Sequence, residues 1–113
     1  MPQILAATDF SERSNRAVRR AGMLARQLGA RLMLLHVVDD DRPERLVIAE
    51  TAAAHEFLNA TIAPMSGDVQ CEAIVESGDP FDRIAKIATA KSVDLIVMGA
   101  HRKQILLDIF IGT

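Results

Sequence analysis

The residues best placed to do chemistry lie near the two ends of the chain. Toward the carboxyl end, Val97-Met98-Gly99-Ala100-His101-Arg102 leads on to Gly112-Thr113. The apolar run Asp94-Leu95-Ile96-Val97-Met98 reads as a buried strand that stops on a glycine, where a missing Cβ lets backbone amides come close to a ligand. A loop follows, and Gly112-Thr113 is a pair that ordinarily opens a helix. Strand, loop and helix N-terminus in that order make an anion site, because unpaired N–H groups and the helix dipole aim at one place. Toward the amino end, a short apolar run closes on Ala7-Thr8-Asp9. Asp9 precedes Glu12 by three residues, so it is either a helix cap or a ligand contact. Whether these two clusters can serve one ligand depends on the elements that carry them.

Strand-like and helix-like patterns alternate along the whole chain. Gln3 to Ala7 is an apolar strand, and from Ser11 to Leu28 the residues Ala17, Val18, Ala21, Leu24, Ala25 and Leu28 recur at helical spacing. Gly29 supplies the stop. Leu32 to Val38 is a continuous apolar strand of the kind covered on both faces. A second helix is predicted from about Pro43 to Ile62, with Pro43 in its first turn. Cys71 to Val75 is a third strand. Asp79 then caps a third helix that has Pro80 at its first position and Phe81, Ile84, Ala85, Ile87 and Ala88 on its apolar side. Such an order predicts an open α/β, mostly parallel, doubly wound sheet with right-handed crossovers. With strand order 3-2-1-4, the reversal of direction falls between strands one and four, and ligands bind at the carboxyl edge of such a reversal. Asp9 and Gly99 end those two strands, so both clusters meet at one crevice.

Composition narrows the functional classes. The chain has 113 residues, enough for one domain with a real core, and a net charge of −2, which argues against an electrostatic grip on DNA or on an acidic membrane. Half the residues are hydrophobic but only four are aromatic, so the core is aliphatic. A single cysteine, Cys71, permits no internal disulfide and fits a reducing compartment. No leader pattern and no apolar run near ~20 residues is present, so the expected location is the cytoplasm.

These pieces together resemble the universal stress protein family. The matching segments are Ile4-Leu5-Ala6-Ala7-Thr8-Asp9-Phe10-Ser11-Glu12, Leu34-Leu35-His36-Val37-Val38-Asp39, Gly78-Asp79-Pro80, and Asp94-Leu95-Ile96-Val97-Met98-Gly99-Ala100-His101. The resemblance implies a Rossmann-like, adenine-nucleotide-hydrolase-like fold with five parallel strands in the order 3-2-1-4-5. Residues 1–113 are expected to form one such domain lacking the family's last helix and fifth strand, with strand four left as an unpaired edge that recruits another copy, or with disorder after about residue 101. Many members bind ATP through G-x2-G-x9-G-[ST]. Gly99, Gly112 and Thr113 fall on that spacing, and Arg102 occupies the second glycine. By resemblance, Asp9 lies near the ribose, Ala7 and Val37 flank the adenine, and the Val37 main chain bonds to it. Met98, Gly99 and His101 wall the ribose and phosphate side, while Gly112 and Thr113 hold phosphates. Arg102 either strains the loop and fills the phosphate space or pairs with a phosphate in bidentate fashion. The implied ligand is ATP or AMP, with magnesium only where phosphates are bound, and the implied assembly is a homodimer or higher oligomer. Two other readings stay open: a stress protein without nucleotide that acts through dimerisation, and a slow ATPase.

The remaining polar residues have plainer roles. His36 inside an apolar strand is expected as a satisfied buried imidazole. His36, His55 and His101 have no metal-ligand spacing, and Asp39-Asp40-Asp41 lacks the spaced oxygens of a calcium loop. Cys71 is expected as a small strand residue. Arg13, Arg16, Arg19, Arg20 and Arg26 form the solvated face of the first helix. No Gly-x-Ser-x-Gly or comparable catalytic constellation is legible, so binding is expected rather than catalysis.

Overall fold

The computed structural model describes residues 1–99 and the backbone of residues 109–111. The elements are β1 (Gln3–Ala7), α1 (Glu12–Leu28), β2 (Arg31–Val38), α2 (Glu44–Ile62), β3 (Cys71–Ser77), α3 (Pro80–Ala90), β4 (Leu95–Met98) and β5 (Ile109–Ile111), with one turn of 3-10 helix at Ala63–Met65 after α2. They build a sheet of order β3-β2-β1-β4-β5. β1 pairs in parallel with β2 and β4, and β2 with β3.

Local chemistry sets each helix. The Ser11 hydroxyl caps α1 by accepting the Ser14 N–H at 3.2 Å, and Gly29 ends it at φ 61°, a left-handed conformation glycine adopts without strain. The Asp79 carboxylate accepts the Asp82 N–H at 2.9 Å, and Pro80 fills the first position of α3, as expected. Pro43 sits one place earlier than the sequence pattern suggests, as the residue capping α2 rather than inside its first turn. Leu28 also departs from expectation and is 55% exposed. The chain turns at Gly29, and Ala30 fills that end of the core instead.

The sheet is covered on both sides, which is why β2 is apolar at nearly every position. Ile4, Ala6, Leu32, Leu34 and Val97 pack against Ala17, Val18, Ala21 and Ala25 of α1 and Leu58 of α2. Leu5, Met33 and Leu35 point the other way, toward Ile84 of α3 and Val93. Two successive right-handed crossovers place α1 and α2 on one face. The return from β3 over β2 and β1 to β4 puts α3 on the other. Among the described residues no helix is long and apolar enough to cross a membrane.

One expectation is corrected at the sheet edge. β4 is not left bare, because β5 pairs with it antiparallel, with Leu95 opposite Ile111, Ile96 opposite Phe110 and Val97 opposite Ile109. The short return from Met98 to Ile109 suffices for an antiparallel partner, whereas a parallel one takes a crossover of about a dozen residues or more. The apolar triplet Ile109-Phe110-Ile111 therefore pairs within its own chain.

Leu34 is fully buried between the central strand and α1. Leu34→Ala is expected to lower unfolding free energy by about 2–5 kcal/mol, read by urea denaturation with an unchanged slope.

Candidate functional site

The site begins with a step in the sheet. β1 ends at Ala7, opposite Leu35, while β2 continues to Val38. Thr8 makes one more ladder bond, its N–H donating to the Leu35 carbonyl at 2.9 Å, and the chain then turns away. Backbone groups alternate sides along a strand, so those of Leu35 and Val37 face the same way. Beyond the end of β1, the N–H and C=O of Val37 look into the space that β1 has vacated.

The loop that leaves β1 is held by side chains. The Phe10 N–H donates to Thr8 Oγ1 at 2.9 Å, and Phe10 takes a left-handed φ of 69°. That conformation costs a non-glycine residue roughly 1–2 kcal/mol. The Phe10 ring offsets this by stacking on the His36 ring at 4.4 Å and leaning on Phe57 of α2 at 5.2 Å. His36 is buried, as expected, with Nδ1 2.9 Å from the Thr8 carbonyl and Nε2 2.9 Å from Glu50.

Asp9 is not the cap of α1; Ser11 is. The Asp9 carboxylate instead closes the turn before the helix, Oδ1 accepting the Ser11 N–H at 2.9 Å and the Ser14 hydroxyl at 2.7 Å. Its own N–H donates back to Ser14 Oγ at 3.2 Å. Partial burial pushes the Asp9 pKa up, but the bonds from Ser11 and Ser14 outweigh it and hold the value at about 2, against an ordinary 3.8. Asp9 is therefore a fixed anion at neutral pH.

These pieces line a cavity of about 350 Å³ at the carboxyl edge, on the α3 side of the sheet. Five of the residues expected from sequence, Ala7, Asp9, Val37, Met98 and Gly99, lie together in its wall. His101, Arg102, Gly112 and Thr113 lie outside the described residues. The wall also contains Ser14, His36, Pro80, Phe81 and Ile84, none of which was singled out as a site residue. Pro80 and Phe81 were within reach of a sequence argument: the loop after the third parallel strand opens at the same sheet edge as those after the first and fourth. Phe81 is 72% exposed.

Gly99 has a structural reason as well as the expected ligand one. A Cβ there would lie 2.9 Å from the backbone C and O of Arg13 and 3.0 Å from the N of Ser14. The end of β4 thus presses on the first turn of α1, next to the hydroxyl that holds Asp9. Away from the cavity, Asp39 closes a solvated turn by accepting the Asp41 N–H at 2.9 Å, and the α1 arginines are all exposed. Cys71 is a half-buried strand residue, and burial raises its thiol pKa.

Comparison with known proteins points one way. The profile described as the Universal stress protein family matches residues 1–113. A universal stress protein of Methanocaldococcus jannaschii is 24% identical over 98% of this chain and 83% of its own length. The crystal structure of a universal stress family protein from Burkholderia pseudomallei superposes with a TM-score of 0.79 at 30% identity, over 88% of this chain and 81% of that one. A universal stress protein in complex with cAMP shares the fold at a TM-score of 0.69 and 23% identity, over 85% of this chain and 70% of that one.

Two outcomes follow from the geometry. Gly99→Ala is expected to destabilise the protein by about 1–3 kcal/mol, since the atoms in its way are backbone, and to move the amide NMR signals of Asp9 and Ser14. The second concerns acid. Because the folded pKa of Asp9 lies below its ordinary value, its contribution is complete above about pH 4 and is lost as pH falls toward about 2. Allowing for its exposed position, that contribution is about 1 kcal/mol. Asp9→Asn should flatten this part of the stability profile, measured by chemical denaturation across the acid range.

Proposed function

The chain belongs to the universal stress protein family, and from that premise we propose that it binds an adenine nucleotide, ATP or AMP, in the crevice where β1, β2 and β4 end. One observation carries the reading: a fixed carboxylate and an apolar slot with free-facing backbone share one cavity. Ala7, Val37, Phe81 and Ile84 supply apolar walls for a planar base. The N–H and C=O of Val37 supply the donor and acceptor that an adenine edge needs. The Asp9 carboxylate, ionised at all ordinary pH, accepts from ribose hydroxyls.

A volume of about 350 Å³ sits near the lower end of the roughly 300–1,000 Å³ typical of small-ligand sites. It suits a nucleoside, with phosphates extending past Met98 and Gly99; the family's glycine spacing proposes His101, Arg102, Gly112 and Thr113 as their partners. Magnesium enters only with those phosphates. The cAMP held by a structural neighbour belongs to the same ligand class. Function follows from a ligand-dependent change in shape or self-association, in a soluble stress-response protein working in the cytoplasm. Turnover of ATP is not part of this reading.

Isothermal titration with AMP and with ATP tests it. One site per chain is expected, and Asp9→Ala should weaken binding about tenfold or more, the worth of a hydrogen bond to a charged group. No heat at millimolar AMP or ATP, or equal affinity in the Asp9→Ala variant, overturns the reading.

A further inference from the structure

His36 belongs to the cavity lining but takes no part in the ligand contacts assigned above, and both of its ring nitrogens are engaged. It is 6% exposed. Its Nδ1 is 2.9 Å from the Thr8 carbonyl oxygen and its Nε2 is 2.9 Å from Glu50 Oε2. A carbonyl oxygen only accepts, and so does an ionised carboxylate. Glu50 is held ionised: the Arg42 guanidinium bonds its other oxygen, and this contact, with that of His36, keeps its pKa below the usual carboxylate value. Arg42 is in turn fixed by its Nε, which donates to the Asp39 carbonyl at 3.2 Å.

A neutral imidazole has one N–H and satisfies one of these two acceptors. An imidazolium satisfies both. We infer that His36, doubly protonated between Thr8 and Glu50, is a positioning residue that holds the Thr8–Phe10 loop, and with it Asp9, in the geometry the ligand requires. The stacked Phe10 ring favours the same state, because an aromatic face attracts a cation lying over it. When the ring loses a proton, a nitrogen lone pair faces an oxygen lone pair, and the Thr8 or the Glu50 contact gives way. Either loss loosens the segment in which Phe10 is kept at positive φ. Ligand affinity is thereby coupled to pH through a side chain to which no ligand contact is assigned.

The groups facing the ring set the sign of the effect. Thr8 and Phe10 come from the β1–α1 loop, Glu50 from α2 and Arg42 from the β2–α2 loop, while the Asp9 anion lies in the adjoining cavity. The two carboxylates favour the cation and Arg42 opposes it, from the far side of Glu50. Affinity therefore falls as pH rises.

The inference rests on the nucleotide reading for its ligand, so the test keeps the two apart. The probe is adenosine, which has no phosphate to titrate, with affinity followed by titration calorimetry between about pH 5 and about pH 8. The full chain is expected to bind adenosine roughly five- to tenfold more weakly at the alkaline end. Glu50→Gln replaces an obligate acceptor by an amide able to donate to Nε2, so a neutral ring is satisfied and the affinity should stay level across the range. Adenosine binding that is level with pH in the unaltered protein, or a slope that survives Glu50→Gln, overturns the positioning role and leaves the nucleotide reading standing. Absence of adenosine binding at every pH, with AMP also silent, overturns both.

Discussion

Three atoms of one buried residue, Thr8, tie the end of β1 to the rest of the molecule. Its N–H donates to the Leu35 carbonyl, its carbonyl faces His36 Nδ1, and its hydroxyl accepts from Phe10. In a parallel sheet the chain must leave each strand at the carboxyl edge and travel back, so the edge is where backbone groups run out of ladder partners. Thr8 resolves that problem for β1 within one residue. Because it does, β2 can run on to Val38 with β3 along its other edge and present open backbone at Val37 beside the Asp9 carboxylate.

The same constraint explains why the cavity lies on the α3 side. The first turn of α1 closes over the other face, where Ser14 holds Asp9 and where the end of β4 can approach only because Gly99 has no side chain. Among the described residues α3 is the one helix on its face, and its Pro80–Phe81 turn stands over the open strand ends. A reversal of strand order with helices on opposite faces leaves such a cleft wherever it occurs.

Much of this was legible in the sequence because it depends on local chemistry. The apolar runs of β1 and β2, the Asp79-Pro80 helix opening and the Gly29 stop each leave a mark that periodicity and capping rules detect. The meeting of Asp9 with Gly99 followed from topology alone, since right-handed crossovers leave few ways to order four parallel strands. What escaped was decided by partners distant in sequence or by competition between neighbours. Ser11, not Asp9, caps α1, because two adjacent candidates contended for one role and the carboxylate went to the Ser11 amide and the Ser14 hydroxyl. The pairing of Ile109–Ile111 with β4 depends on a chain reversal that apolar composition does not encode. His36 could be read as buried and satisfied, but its link to Glu50 spans two elements and has no signature in spacing.

The central claim is that the end of β1 and the open stretch of β2 form one ligand site. Amide NMR of the full chain titrated with AMP tests it most directly. The account predicts that the amides of Thr8, Asp9 and Val37 shift together along one saturable curve, with those of α2's exposed face unmoved. Saturable shifts confined to residues away from this edge, or no shifts at millimolar AMP, would contradict it.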